Sequence, residues 1–272
     1  MNRRVAVIKN TLIQKEFGGA LKEWLLNTFS PPCEVLSNFK ITTIDKSDNS
    51  YYKIYIKGYS MPIFLSKELD FHVIQHVVSE QLYHWNWHYY EIPETTVEAG
   101  DIVFDCGSAE GIFTFLAFPR AKHVYAFEPL EEYVSGLEKT FEGLSNVLVV
   151  NEALGDKVGE IYLKKDGIAS TISNVMTDTK ININTIDNFC KTKNVPINYL
   201  KADIEGYEQQ MLDGAMDAIT QFKPKIAITV YHKENDVPRI VKQLRSAVPE
   251  YKIKLKGLTD TLNKPVMLHA WM

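Results

Sequence analysis

Four carboxylates stand where an apolar run gives way to a turn: Asp105, Glu128, Asp203 and Glu205. A carboxylate in such a place can accept hydrogen bonds from a sugar diol, hold a cation, or take up a proton. The run Ile102-Val-Phe104 is apolar, as a parallel strand buried on both faces must be. It leads into Asp105-Cys-Gly-Ser-Ala-Glu-Gly111. Gly107 and Gly111 let the backbone turn sharply and approach a ligand closely. Ile112, Phe113, Phe115 and Leu116 then open a helix, whose first N–H groups are free to face the loop. A second strand, Lys122 to Phe127, ends in Glu128, 21 positions beyond Gly107. In nucleotide-binding sheets an acidic residue about 20 positions on grips the ribose.

The loop does not suit a dinucleotide. A pyrophosphate turn needs G-x-G-x-x-G, and this chain has Gly107-x-x-x-Gly111 with Glu110 inside it. A carboxylate repels a pyrophosphate and attracts a cation. S-adenosylmethionine carries a sulfonium, an ammonium, a ribose and an adenine. Asp105 is placed for the ammonium, the loop N–H groups for the carboxylate, and Glu128 for the ribose. Ser108, Glu110, Gly111, Thr114 and Pro129 belong to the same loop, helix start and strand tip. Asn151, Glu152 and Ala153 follow the third strand, Val147–Val150, and are either adenine contacts or solvated loop residues.

The elements that must position these groups follow in order. Leu12, Phe17, Leu21, Trp24, Leu25 and Phe29 recur near helical spacing up to Ser30-Pro31-Pro32. Val35 to Ile44 and Tyr51 to Ile56 read as strands joined by the polar turn 45–50, Met61 to Leu65 as a third, and Lys67 to Tyr83 as a helix. Residues 1–95 thus form an α+β appendage, and 96–272 a sheet domain in which strand and helix alternate. Between them, Tyr83 to Glu91 packs two Trp, three Tyr and two His into nine positions. It is either a wall over a substrate or an aromatic plug. His84 and His88 would share a face if this stretch were helical.

Further strands are expected at Gly159 to Lys164 and Ile168 to Ile172. Ile181 to Asn184 leads to a helix capped by Thr185. A strand from Ile197 to Ala202 delivers Asp203-Ile-Glu-Gly206, with a helix from Tyr207 to about Ala218. Pro224 to Tyr231 is a strand with His232 at its tip. Val237 to Val248 is the last long helix, and Tyr251–Leu255 with Pro265–Ala270 a closing hairpin. Asp203, Glu205 and His232 are the candidate catalytic groups. His232 serves as a base if it meets the acceptor and as a surface cap if it does not. Asp203, Glu205 and Asp236 would alternatively gather a Mg²⁺; the metal-free version is preferred.

F-D-C-G-S-A-E-G-I-F-T, A-F-E-P, N-E-A-L-G-D, N-T-I-D-N-F and L-K-A-D-I-E-G-Y-E-x-x-M-L-D-G-A occur in that order. Together they resemble the FkbM-type S-adenosylmethionine-dependent methyltransferases over about residues 96 to 235. The resemblance implies an α/β, class I (Rossmann-like) seven-stranded sheet and methyl transfer to a hydroxyl, often on a sugar or polyketide. It places Asp105, Gly107 and Glu128 at the cofactor and Asp203 between cofactor and acceptor. Ala109-Glu110 stands where the family usually has Asn-Ile, and Lys256-Gly-Leu258 replaces a more basic, aromatic stretch.

Composition agrees with an enzyme acting on a small molecule or glycan. The 272 residues are 45% hydrophobic and 24% charged, with a net charge of −4. No broad basic surface for nucleic acid follows from that balance. Three scattered cysteines and no C-x-x-C fit a reducing, cytoplasmic setting. No run reaches the roughly 18 apolar residues of a membrane span. Nothing in the sequence selects an oligomeric state. Two rivals remain at this point: a nucleotide-sugar oxidoreductase or epimerase, which lacks its G-x-G-x-x-G here, and a non-catalytic binding module on the same fold. An amino-group methyltransferase of nucleic acid would carry Asn/Asp-Pro-Pro-Tyr where this chain has Asp203-Ile-Glu-Gly206.

Overall fold

The computed structural model describes residues 21–164, 171–173, 179–233, 236–259 and 264–272. Its centre is a sheet of seven strands. In chain order, β1 is Ile41–Asp45, β2 Tyr51–Ile56, β3 Pro62–Ser66, β4 Ile102–Cys106, β5 His123–Phe127, β6 Val147–Val150 and β7 Ala153–Leu154. Then come β8 Gly159–Lys164, β9 Thr171–Ser173, β10 Thr179–Asn184, β11 Tyr199–Ala202, β12 Lys225–Thr229, β13 Lys252–Lys256 and β14 Met267–Trp271. The large sheet runs β13-β14-β12-β11-β4-β5-β6. Strands β6, β5, β4, β11 and β12 are parallel, and β14 is antiparallel to both β12 and β13. The chain winds one way from β4 to β6 and returns to β11 on the other side of β4. The carboxyl ends of β4 and β11 therefore flank a switch point, where open α/β sheets take ligands.

Both faces of the sheet are covered. Phe104, Phe127, Leu200, Ile226 and Ile228 face one layer with Ile186, Phe189, Met211 and Leu212. Val103, Tyr199, Ala227 and Met267 face the other, against Phe113, Trp87 and Tyr90. Every residue of β4 and β11 is buried, as central parallel strands are, and this includes the charged pair Asp105 and Lys201. A smaller sheet, β7-β10-β8-β9, packs Ile161, Leu163, Ile181 and Ile183 against Leu130, Tyr133 and Tyr207.

The first described part of the chain builds the three-stranded sheet β1-β2-β3. Ile54, Ile56, Ile63 and Leu65 join Ile74, Val77 and Val78 and pack on Ile112, Phe115, Leu137 and Phe141 of the helices Ile112–Ala117 and Glu131–Phe141. The contact is close. Phe64 N–H donates to Thr140 Oγ1 at 2.9 Å, and a Cβ on Gly136 would lie 2.9 Å from the Phe64 carbonyl oxygen.

Several boundaries differ from the sequence expectation. Val35 to Phe39 is not strand: Cys33–Lys40 is a helix that starts directly after Pro32, with Glu34 in its first turn. Proline suits a helix start, and an acidic first turn suits its dipole. The helix expected from Tyr207 to Ala218 is two, Glu208–Asp213 and Met216–Phe222. It breaks at Gly214, where a Cβ would stand 2.0 Å from the Gly155 carbonyl oxygen. The helix after β3 is Phe71–Gln81, capped by Asp70, which accepts from His72 N–H. Leu69 therefore precedes it. Leu12, Phe17 and residues 168–170 lie outside the described residues, as does the side chain of Asp236. The Thr185 cap is present: its hydroxyl accepts from Asn188 N–H at 3.0 Å.

Candidate active site

The carboxyl ends of β4, β5 and β11 open into one cavity. Gly107, Ser108, Glu110, Glu128, Pro129, Glu152, Ala153, Asp203 and Glu205 all line it. So do Glu80, His88 and Tyr90, which come from the chain before β4, and Lys201 and Tyr231.

Gly107 has φ +76°, and a Cβ there would lie 2.1 Å from the Asp203 carbonyl oxygen. The glycine is thus required because the β4 and β11 loops touch, besides any ligand. Two non-glycine residues on the cavity wall also have positive φ, Ala109 at 43° and Glu205 at 53°. Strain of this kind persists only where surrounding structure enforces it.

Glu128 directly follows β5 and is 5% exposed. Its carboxylate accepts from Ala109 N–H at 2.9 Å and from Leu130 N–H at 3.0 Å. Burial, with Glu110 nearby, raises its pKa to about 7 against the lowering pull of those two N–H groups. Glu110 is 7% exposed, and its Oε1 has no hydrogen-bond partner. Burial raises its pKa as well. Two acidic groups therefore face the cavity from the tips of β4 and β5, one with an unused oxygen.

At the tip of β11, Asp203 is held on several sides. Tyr90 OH donates to its Oδ2 at 2.6 Å and Thr229 Oγ1 to its Oδ1 at 3.1 Å. His232 Nε2 lies 3.6 Å from Asp203 and 3.5 Å from Glu205. His232 Nδ1 meets Glu208 Oε1 at 2.8 Å. Burial opposes the charged form of His232, but Glu208, Asp203 and Glu205 more than offset it and raise its pKa to about 9. Glu205 goes the other way: burial raises it to about 7 despite His232.

Five expected site residues do not line the cavity. Asp105 is fully buried behind the loop. Lys201 Nζ lies 2.9 Å from its Oδ1, and Thr114 Oγ1 donates to its Oδ2 at 2.6 Å. The carboxylate and Thr114 are thus turned to each other and to Lys201, not to a ligand ammonium. Gly111, with φ +74°, caps the helix Ile112–Ala117 and faces Leu137. Asn151 is exposed and donates to Glu131 Oε2 at 2.7 Å. His232 is enclosed by three carboxylates, which favour its protonated form. Asp203, Glu208 and His232 each offer an atom within 4.8 Å of the others; Glu205 is not in that set.

Sequence reasoning missed Lys201 and Glu208. Lys201 is 3% exposed in a strand of otherwise uncharged residues, and its place there was the available signal. Its Nζ also donates to the Gly107 carbonyl at 2.6 Å and lies 4.8 Å from the centre of the Tyr90 ring. The segment 83–91 is irregular, so His84 and His88 share no helix face. It joins both readings given above. Trp87 and Tyr90 are packed into the core, while His88 and Tyr90 line the cavity.

Residues 105–251, more than half of the chain, match the family described as the Methyltransferase FkbM domain. The chain is 28% identical over 155 residues to the hexuronic acid methyltransferase AglP of Haloferax volcanii, which covers 55% of this chain and 64% of that protein. It thus spans less than two thirds of the length of this curated relative. The crystal structure of methyltransferase FkbM from Methylobacillus flagellatus KT shares the fold, with a TM-score of 0.52 and 20% identity over 75% of this chain and 56% of that one. The glycine loop that follows β4 and the Asp203-Ile-Glu-Gly206 turn both lie within the matched residues, and the chain belongs to the FkbM methyltransferase family.

Proposed function

We propose that the chain is an S-adenosylmethionine-dependent O-methyltransferase acting on a hydroxyl of a sugar or glycan. The observation that carries the reading is the pair Glu110 and Glu128. Both are buried acidic groups facing the cavity, and one has a carboxylate oxygen without a partner. A buried carboxylate without a counter-charge is costly, and a cationic ligand removes that cost. When bound, the cofactor supplies an electrophilic methyl group on a sulfonium. Glu128 accepts from the ribose hydroxyls, Glu110 faces positive charge, and Glu152 and Ala153 border the adenine. Asp203 stands between cofactor and acceptor. His232 supplies positive charge among Asp203, Glu205 and Glu208. Residues 1–95 act as an accessory region, of which Glu80, His88 and Tyr90 line the cavity, and residues 96–272 as the catalytic domain. The hexuronic acid named for the curated relative supports a sugar acceptor.

Cofactor affinity is expected to rise about tenfold between pH 6 and 8. Glu128 is largely protonated below its pKa of about 7 and ionised above it, and only the ionised form attracts a cation. The cofactor-free protein should show the opposite trend in stability. Glu128 and Glu205 hold protons more tightly folded than unfolded, so their contribution is complete below pH 4.5 and is lost as pH rises through about 7. Calorimetric titration and urea unfolding across that range check both slopes. A flat affinity profile would remove Glu128 from the cofactor site.

EDTA is expected to leave turnover within about twofold, because His232 already supplies charge between the three carboxylates. A loss of tenfold or more, restored by Mg²⁺, would assign those groups to a metal. No helix among the described residues is long and apolar enough to cross a membrane. The three cysteines are free, in keeping with a cytoplasmic protein. The net charge of −4 supports an acceptor other than nucleic acid.

A further inference from the structure

Among the described residues, one histidine beside the cavity is not enclosed by carboxylates. His88 Nδ1 lies 2.8 Å from Glu80 Oε1. Glu80 in turn meets His76 Nε2 at 3.2 Å. The other nitrogen, His88 Nε2, is buried and has no hydrogen-bond partner. Both His88 and Glu80 line the cavity that Gly107, Glu110, Asp203 and Glu205 also line. The His88 ring packs edge-on against Tyr231, with centroids 5.4 Å apart.

The segment carrying His88 is held firmly. Glu91 is gripped by Arg120 through two contacts of 3.0 Å. Lys256 Nζ donates to the Tyr89 carbonyl at 2.6 Å, and Tyr199 OH to the Tyr90 carbonyl at 2.8 Å. Tyr90 OH reaches Asp203. Asn27 receives Trp87 N–H at 3.3 Å and donates to the Trp85 carbonyl at 2.6 Å. A histidine fixed this way, with Nδ1–H donated to a carboxylate, presents the lone pair of Nε2 in a set direction. That is the arrangement by which an imidazole accepts a proton from a hydroxyl.

We propose that His88 is the general base of the methyl transfer and that Glu80 is the residue that positions it. The inference rests on the methyltransferase reading above. In the step, the acceptor oxygen forms a bond to the methyl carbon. The carbon–sulfur bond breaks with its electron pair left on sulfur, giving the neutral thioether. The hydroxyl proton passes to His88 Nε2, and the resulting imidazolium releases it to solvent. The accessory region thereby contributes a catalytic residue to the domain it packs on.

The groups facing His88 set its titration. Glu80 comes from the helix Phe71–Gln81, with His76 behind it; Asp203 comes from the tip of β11, and Tyr231 and His232 from the tip of β12. Burial and His232 disfavour the imidazolium, while Glu80 and Asp203 favour it, and the net direction is upward from the ordinary 6.5. Turnover requires the neutral ring, so it should rise with pH to a plateau, with a midpoint above 6.5.

The test uses the full chain, tritiated-methyl S-adenosylmethionine, and methyl β-D-glucuronoside as the acceptor probe. His88→Ala and His88→Gln should keep cofactor affinity within about threefold by calorimetry, which also reports folding. Both should lose about 100-fold or more in turnover, the scale of a general base. Glu80→Gln should lose about tenfold and move the midpoint of the pH profile downward from that of the wild type. Nitrogen-15 spectra of histidine-labelled protein should show the His88 proton on Nδ1, and should show that tautomer weakened by Glu80→Gln. This readout needs no acceptor. Turnover within threefold of wild type in the two His88 variants, or a proton resident on Nε2, overturns the inference with the methyltransferase reading intact. A wild-type chain that does not bind the cofactor overturns both.

Discussion

Lys201→Met should destabilise the protein by about 3–5 kcal/mol, the cost of removing one partner from a buried ion pair. Lys201 and Asp105 are 3% and 0% exposed, with 2.9 Å between Nζ and Oδ1. Burial disfavours the ammonium, but Asp105 and Asp203 more than offset that and hold the lysine pKa above its ordinary value. With the ammonium gone, Asp105 keeps only the Thr114 hydroxyl, and the Gly107 carbonyl loses a donor. The loop of β4 and the tip of β11 lose their common tie. Urea unfolding measures the loss. Lys201→Met combined with Asp105→Asn should recover more than half of it, because the double variant leaves no unpaired charge. A single variant within about 1 kcal/mol of wild type would show that the pair is not held as described.

Glu128→Ala should weaken S-adenosylmethionine about 100-fold. The carboxylate is assigned two tasks, and the substitution removes both. It is the group for the ribose hydroxyls, where charge-assisted hydrogen bonds contribute about 1.5–3 kcal/mol. It also accepts from Ala109 and Leu130 N–H, which fixes the loop carrying Glu110. Glu128→Gln retains one acceptor oxygen and should lose about tenfold. Calorimetry separates the two, and unfolding curves exclude a folding defect. Wild-type affinity in Glu128→Ala would move the cofactor elsewhere.

Much of the sheet and its family was legible because parallel strands announce themselves as short apolar runs ended by polar turns. β4, β5, β6, β11 and β12 each do so, and the motifs that follow them are in family order. The three tips Gly107 to Glu110, Glu128 and Asp203 were legible for the same reason, and the cavity lies there. What the sequence does not carry is register and side-chain direction. Asp105 precedes the loop, so it reads as a loop ligand; pairing β4 with β11 sets it directly opposite Lys201, and its carboxylate turns there. His232 stands at a strand tip as expected, but Glu208, 24 positions earlier, sits against its Nδ1. The match of His88 with Glu80 depends on an irregular segment folding back beside a helix, which no periodicity encodes. The helix at Cys33–Lys40 was missed because its apolar residues Val35, Leu36 and Phe39 fit a strand equally well; the prolines before it were the better signal.

All roles given to the later residues depend on acidic strand tips seating a cationic adenosyl donor. The most direct test is a calorimetric titration of the wild-type chain with S-adenosylmethionine at pH 8, repeated with Glu110→Gln. One molecule should bind per chain with a dissociation constant on the order of 10 μM, weakened about tenfold when the unpartnered carboxylate becomes an amide. No saturable binding by the wild type, or equal binding by the two proteins, would contradict the account.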